Sequence, residues 1–170
     1  MRILALIATI LAVFGAPLAP PDDEHQPPGA MPARGRSAAP SVPSGTTIPL
    51  FRLLNPKTGD HLYTTSVSER DSAIASFGYQ SEGIAGYVFD SQAPGTTPLF
   101  RLLNPKTGDH FYTTSVSERD GAIASFGYRP EGITCYVFGS QAPGTIPLLR
   151  LLNPQTGHHF YTTSDRKSVV

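Results

Sequence analysis

A 49-residue segment occurs twice in succession and then begins a third time. Residues 49–97 read PLFRLLNPKTGDHLYTTSVSERDSAIASFGYQSEGIAGYVFDSQAPGTT. Residues 98–146 repeat them, differing at the partners of eight positions: 62, 72, 80, 81, 85, 86, 90 and 97. The third copy runs from Pro147 to Ser164 and departs only at Leu149, Gln155 and His158. A fixed period of this length is the signature of a repeat architecture. One such unit is too short to bury a sufficient core, so neighbouring units must share theirs.

Each unit reads as β-β-α-β, which makes the fold class mostly β with one short helix per repeat. Leu50 to Leu54 is an apolar run suited to a buried strand. Asn55-Pro56-Lys57-Thr58-Gly59 is a tight turn, with Pro presetting the second position and Gly supplying positive φ. From Asp60 to Thr65 the residues alternate, His61, Tyr63 and Thr65 against Leu62 and Thr64, as a returning strand would. Ser66 and Glu69 have the spacing of a capping box, and Val67, Ile74 and Phe77 form an apolar stripe on the helix it opens. Gly78 is placed to end that helix in the left-handed conformation. Gln80 to Gly83 reads as a turn, and Ile84 to Phe89 as the last strand. Three such units could close around a pseudo-threefold axis. The third lacks its helix and last strand, which leaves an apolar edge and predicts self-association.

The flanks are of a different kind. Arg2 followed by the apolar run Ile3 to Phe14 reads as a signal peptide over residues 1–15, cleaved after Gly15, and the protein is therefore expected to be secreted. That run is too short for a stable membrane span. Residues 16–45 hold eight of the prolines and almost no large apolar residue, as a disordered linker does, so the repeat domain is placed at 46–164. Residues 165–170, Asp-Arg-Lys-Ser-Val-Val, break the repeat abruptly and match the translation of a common sequencing adapter; they read as an artefact of library preparation. Genomic DNA carrying those codons would overturn that reading.

Lys plus Arg and Asp plus Glu are both 13, and this neutrality removes the electrostatic basis for nucleic-acid binding. A single cysteine, Cys135, excludes an internal disulfide; Gly86 holds its place in the first unit, so the thiol reads as a packed small residue. No nucleophile elbow, His-Glu-x-x-His or phosphate-binding loop is present to name an enzyme. No cofactor or metal is expected. The one arrangement that could hold a metal would bring His61, His110 and His159 together on a central axis. Glu82 and Glu131 read as partners of a turn or of Arg52, rather than as catalytic carboxylates.

The motif PLFRLLNPKTGDHLYTTS, followed by SERD, AI and GYQSEGIAGYVF, resembles an uncharacterised secreted repeat family. That family is classed as a domain of unknown function and usually occurs in blocks of about three units. The resemblance covers residues 49–164, with His158 in place of Asp and the truncation as departures. It implies an accessory or adhesive module that binds carbohydrate or a cell-surface polymer. A per-unit set could supply such a site: Arg52, Asn55, Asp60 and Tyr63; Arg101, Asn104, Asp109 and Tyr112; Arg150, Asn153 and Tyr161. Aromatic faces would stack on sugar rings and polar groups would hydrogen-bond hydroxyls, with avidity from repetition. A fragment of a secreted hydrolase and a purely structural spacer are the alternatives.

Overall fold

The computed structural model describes residues 11–14 and 45–163. The linker and the six terminal residues lie outside that range, apart from Gly45. The chain is mostly β with two short helices. Strand β1 is Leu11–Phe14. Then come β2 (Thr47–Leu54), β3 (His61–Thr64), α1 (Val67–Phe77) and β4 (Gln80–Phe89). The series repeats as β5 (Thr96–Leu103), β6 (His110–Thr113), α2 (Val116–Phe126) and β7 (Arg129–Phe138), and ends with β8 (Thr145–Leu152) and β9 (His159–Thr162). All pairings are antiparallel, and the strand path β3-β2-β4-β1-β7-β5-β6 is open, with β8 and β9 branching from β1.

The helix is set by local chemistry. Ser66 Oγ accepts from Glu69 N–H at 3.2 Å, and Gly78 stops the helix at φ 74°. Only half of the expected capping box forms. Ser66 N–H donates to Thr64 Oγ1 instead, which frees the Glu69 carboxylate for another task. The apolar stripe is also corrected. Val67, Ile74 and Phe77 are 53%, 41% and 68% exposed, and the helix packs through Ala73 against Phe51, Leu53 and Leu62. A small residue at that position brings the helix axis close to the sheet, and the longer side chains project beyond the contact.

The last strand is longer than the sequence suggests. It begins at Gln80, not Ile84, and runs through two register shifts against β2. In β7 the same shifts leave Thr134 and Glu131 as extra residues opposite β5. A bulge of this kind re-aims a side chain, and the Gln80–Gly83 segment read as a turn is such a bulged strand.

The largest core cluster draws Leu50, Tyr63 and Val88 from the first unit, Leu99, Tyr112, Cys135 and Val137 from the second, and Leu148 and Tyr161 from the third. Its centre is a ring of three tyrosines, with ring centroids 5.3–5.5 Å apart and edge-to-face. Tyr63 Oη donates to Tyr161 O at 2.6 Å and accepts from Tyr161 N–H at 2.9 Å. Tyr161 Oη does the same to Tyr112 at 2.7 and 2.7 Å, and Tyr112 Oη to Tyr63 at 2.8 and 2.8 Å. Burial pushes all three phenols well above their ordinary pKa, so each remains a donor.

Tyr112→Phe should therefore lose on the order of 1–3 kcal/mol for each main-chain group left unpaired. Phe126→Ala, on an exposed helix position, should change stability by less than about 0.5 kcal/mol. Urea midpoints of the two variants check this; equal values would mean that the ring carries no more than the surface does.

Candidate functional site

The residues singled out from sequence are mostly consumed by contacts between units. Tyr63, Tyr112 and Tyr161 are each 1% exposed, so they cannot stack on a sugar ring. Asp60 is buried too: its carboxylate accepts from His110 N–H at 2.8 Å and Tyr79 Oη at 2.7 Å, and meets His110 Nδ1 at 2.6 Å. Asp109 holds His159 and Tyr128 in the same way, at 2.7 Å to each. Burial alone would raise the Asp60 carboxyl, but the His110 hydrogen bond and charge bring it below the usual range. Asn55, Asn104 and Asn153 shape their turns, each Oδ1 accepting the main-chain N–H two residues on.

A second clasp joins the units outside this one. Arg101 forks onto Glu69 of the preceding helix at 2.9 and 2.7 Å, and its Nε faces Glu131 at 2.8 Å. Arg150 forks onto Glu118 at 3.0 and 2.7 Å. Arg52 pairs with Glu82 at 2.9 Å, in agreement with the reading of that glutamate as a structural partner. The Arg101 hydrogen bonds hold the Glu69 carboxyl below its ordinary range.

His158 breaks the series. The sequence places Asp60 and Asp109 one residue before His61 and His110, and each carboxylate clasps the histidine of the next unit. His158 stands where the third carboxylate would, and its Nε2 turns to Thr107 O at 3.3 Å. His61 packs instead against the Phe160 ring at 4.7 Å, with its Nε2 3.4 Å from Glu82. The three histidines thus take separate junctions. Among the described residues no group of three or more His, Cys, Asp or Glu could hold a metal ion. Cys135 is buried in the core, and burial pushes its thiol up to about 12, far from a reactive thiolate.

Two open concavities stand out among the described residues. One is a cleft of about 320 Å³ in the second unit, lined by Phe100, Arg119, Asp120, Ile123 and Ile133 among others. Arg119 lies over the Phe100 ring at 4.6 Å and hydrogen-bonds Asp120 at 2.8 Å. The first unit repeats this set: Arg70 over Phe51 at 4.6 Å, bonded to Asp71 at 2.8 Å, with Ile74 and Ile84 exposed. Sequence reasoning missed the cleft, because Pro130 and Gly132 help to line it and their counterparts in Gln80–Gly83 read as a turn rather than as a strand. The other is a groove of about 610 Å³ between the second and third units, lined by Phe111, Glu118, Phe126, Tyr128, Arg150 and His159 among others.

A family model described as Domain of unknown function (DUF5648) matches residues 34–138 and again 138–169. The chain belongs to that family. No curated protein and no solved structure gives a match. Among the described residues of this DUF5648 chain, no helix is long and apolar enough to cross a membrane.

The clasps lead to two expectations. His158→Asp should restore a carboxylate for His61 and raise stability by about 1.5–3 kcal/mol, the range for a charge-assisted hydrogen bond; an unchanged melting midpoint would show that the third junction cannot close in this way. Acid should destabilise the fold in two stages. Burial lowers His61 from 6.5, while Arg101 lowers Glu69 from 4.5 and His110 lowers Asp60 from 3.8. Each group takes its proton at a higher pH in the unfolded chain than in the folded one, so each contributes stability that is present above its ordinary value and lost as pH falls below it. Urea midpoints should be level from pH 6.5 up to about 9, where the Cys135 thiol begins to ionise in the unfolded chain, slope gently down from 6.5 to 4.5, and fall steeply below. Glu69→Gln should flatten the acid limb.

Proposed function

We propose that this chain is a secreted, non-catalytic module that binds carbohydrate or a cell-surface polymer through repeated shallow clefts. The observation that carries the reading is that the residues lining the cleft of the second unit recur, with the same contacts, in the first. Arg70-Asp71 and Arg119-Asp120 each set a cation and a carboxylate beside an aromatic ring, and exposed isoleucines flank them at Ile74 and Ile84, and at Ile123 and Ile133. Paired donors and acceptors next to an apolar floor suit a sugar, with its hydroxylated edges and apolar face. This replaces the tyrosine set, whose members are buried.

The same reading includes a pseudo-threefold arrangement of the units. Its support is the tyrosine ring, in which each hydroxyl serves the next unit at sequence separations of 49, 49 and 98. An arrangement of this kind would point equivalent clefts outward at fixed spacing, so that two weak sites act on one polymer with a gain in avidity. Secretion rests on the leader-like N-terminus. Self-association rests on β8, whose Leu149–Leu152 stretch pairs with β9 alone among the described residues.

The test is pull-down on insoluble chitin, cellulose and peptidoglycan beside a soluble glycan array. Binding should weaken with Arg70→Ala or Arg119→Ala and be lost in the double variant; because these side chains cover Phe51 and Phe100, the melting midpoint is measured beside binding to show that the variant is folded. A folded protein that binds none of these would sink the reading. Binding that survives the double variant would move the site elsewhere.

A further inference from the structure

β1 lies where the sequence has no counterpart for it. It pairs with β8 as Leu11↔Leu148, Ala12↔Pro147, Val13↔Ile146 and Phe14↔Thr145. In the first unit the last strand pairs as Gly86↔Leu50, Tyr87↔Pro49, Val88↔Ile48 and Phe89↔Thr47. In the second it pairs as Cys135↔Leu99, Tyr136↔Pro98, Val137↔Thr97 and Phe138↔Thr96. Ala12-Val13-Phe14 therefore occupies the positions of Tyr-Val-Phe. The contacts between units agree: Phe89 pairs with Tyr136, Phe138 with Ala12, and Phe14 with Tyr87. β1 stands in for the last strand of the third unit, and it does so over four residues where β4 and β7 have ten.

The other half of that position holds no strand among the described residues. On β5, the residues Phe100 to Leu103 pair with Arg129–Ile133; the matching stretch of β8, Leu149 to Leu152, has no partner on that edge among the described residues. Glu131 enters from this half of β7 and meets Arg101 Nε at 2.8 Å and His110 Nε2 at 3.8 Å. At the next junction Arg150 commits its terminal nitrogens to Glu118 and His159 its Nδ1 to Asp109. No carboxylate pairs with Arg150 Nε or His159 Nε2 among the described residues, and both side chains line the groove of about 610 Å³. Arg150 is 4% exposed.

We infer that the open edge of β8 and the groove beside it form an acceptor site for an extended peptide of the pattern Glu-Gly-Ile-x-x-Tyr-Val-Phe. The peptide adds antiparallel to β8, puts its glutamate on Arg150 and His159, and displaces β1 from Thr145–Leu148. Main-chain hydrogen bonds supply affinity and the acidic side chain supplies register, as in other strand-addition sites. The partner is a segment not already in a sheet, because residues 82–89 and 131–138 of a folded copy are engaged with β2 and β5. A leader cleaved after Gly15 would carry β1 away and leave the whole edge open. The site is separate from the helix clefts, so the two proposals stand or fall independently.

The test uses the full chain and a fluorescein-labelled peptide PEGITSYVFG, read by anisotropy. Saturable one-to-one binding is expected. Replacing the peptide's glutamate with glutamine should weaken it about tenfold or more, and replacing its valine and phenylalanine with aspartates should abolish it. Amide exchange should then show residues 11–14 losing protection as peptide binds. With Cys135→Gly removing the native thiol, Ile146→Cys should cross-link to a peptide carrying cysteine at the valine position and not to one shifted by a residue. Absence of saturable binding, indifference to the glutamate, or binding that leaves residues 11–14 protected would overturn the proposal. Because the key changes are made in the peptide, a misfolded variant cannot mimic a negative result.

Discussion

Every β3-type strand in this fold has one paired edge and one edge that faces the middle of the molecule. Among the described residues β3, β6 and β9 each pair with a single strand, β2, β5 and β8 respectively. In an antiparallel ladder, alternate residues turn their N–H and C=O away from the partner. At Tyr63, Tyr112 and Tyr161 those groups point inward, where no water reaches and no fourth strand can fit. A buried main-chain pair without partners would cost more than the short strand gains. The tyrosine hydroxyl of a neighbouring unit resolves this because it both donates and accepts. A phenol is also rigid enough to project its oxygen to the next strand, and its ring supplies the apolar bulk the centre needs. Three edges and three hydroxyls satisfy one another, and the units cannot separate without exposing all of them.

The outer clasps follow from that centre. Once the short strands meet at the tyrosines, Asp60 stands beside His110 of the next unit and Asp109 beside His159. Both carboxylates are buried, with relative exposures of 1% and 0%, so they are tolerated only because three donors converge on each. Arg101 and Arg150 add a bidentate pair to the preceding helix, and these side chains are largely buried as well. Removing one partner of such a pair would leave a buried charge uncompensated. These pairs fix which unit follows which, and in what register, while the apolar core makes docking favourable at all.

Much of the unit was legible because it rests on local rules. The turn at Asn55–Gly59, the cap at Ser66, the stop at Gly78 and the period of 49 all follow from residue chemistry within a few positions. What escaped the sequence depends on a neighbour 49 residues away. Glu69 has the spacing of a capping box, yet Arg101 of the next unit claims its carboxylate. Tyr63 reads as a sugar platform or, more readily, as a core residue with a polar tip, and the ring decides. Near-identical copies compound the difficulty, since they preserve packing and binding residues alike. The helix stripe failed for a simpler reason: Ala73 is small, and the pattern of large apolar residues gave no weight to it.

Residues 11–14 answer to two descriptions. The sequence alone reads them as part of an apolar leader-like run, and the structure pairs them as an edge strand. Nothing in Leu-Ala-Val-Phe distinguishes the two, and as a strand it pairs with β8 from Leu11↔Leu148 to Phe14↔Thr145. β8 supplies the discrimination. Its first half offers only main-chain groups and apolar neighbours, and so admits any such strand. Its second half adds the buried Arg150 beside His159, and a buried cation favours a partner that brings a carboxylate to it. A short apolar strand can occupy the first half and can give nothing to the second. The edge therefore ranks its occupants by charge as well as by shape, and a segment with glutamate at the right distance from Tyr-Val-Phe outranks residues 11–14, which hold the place.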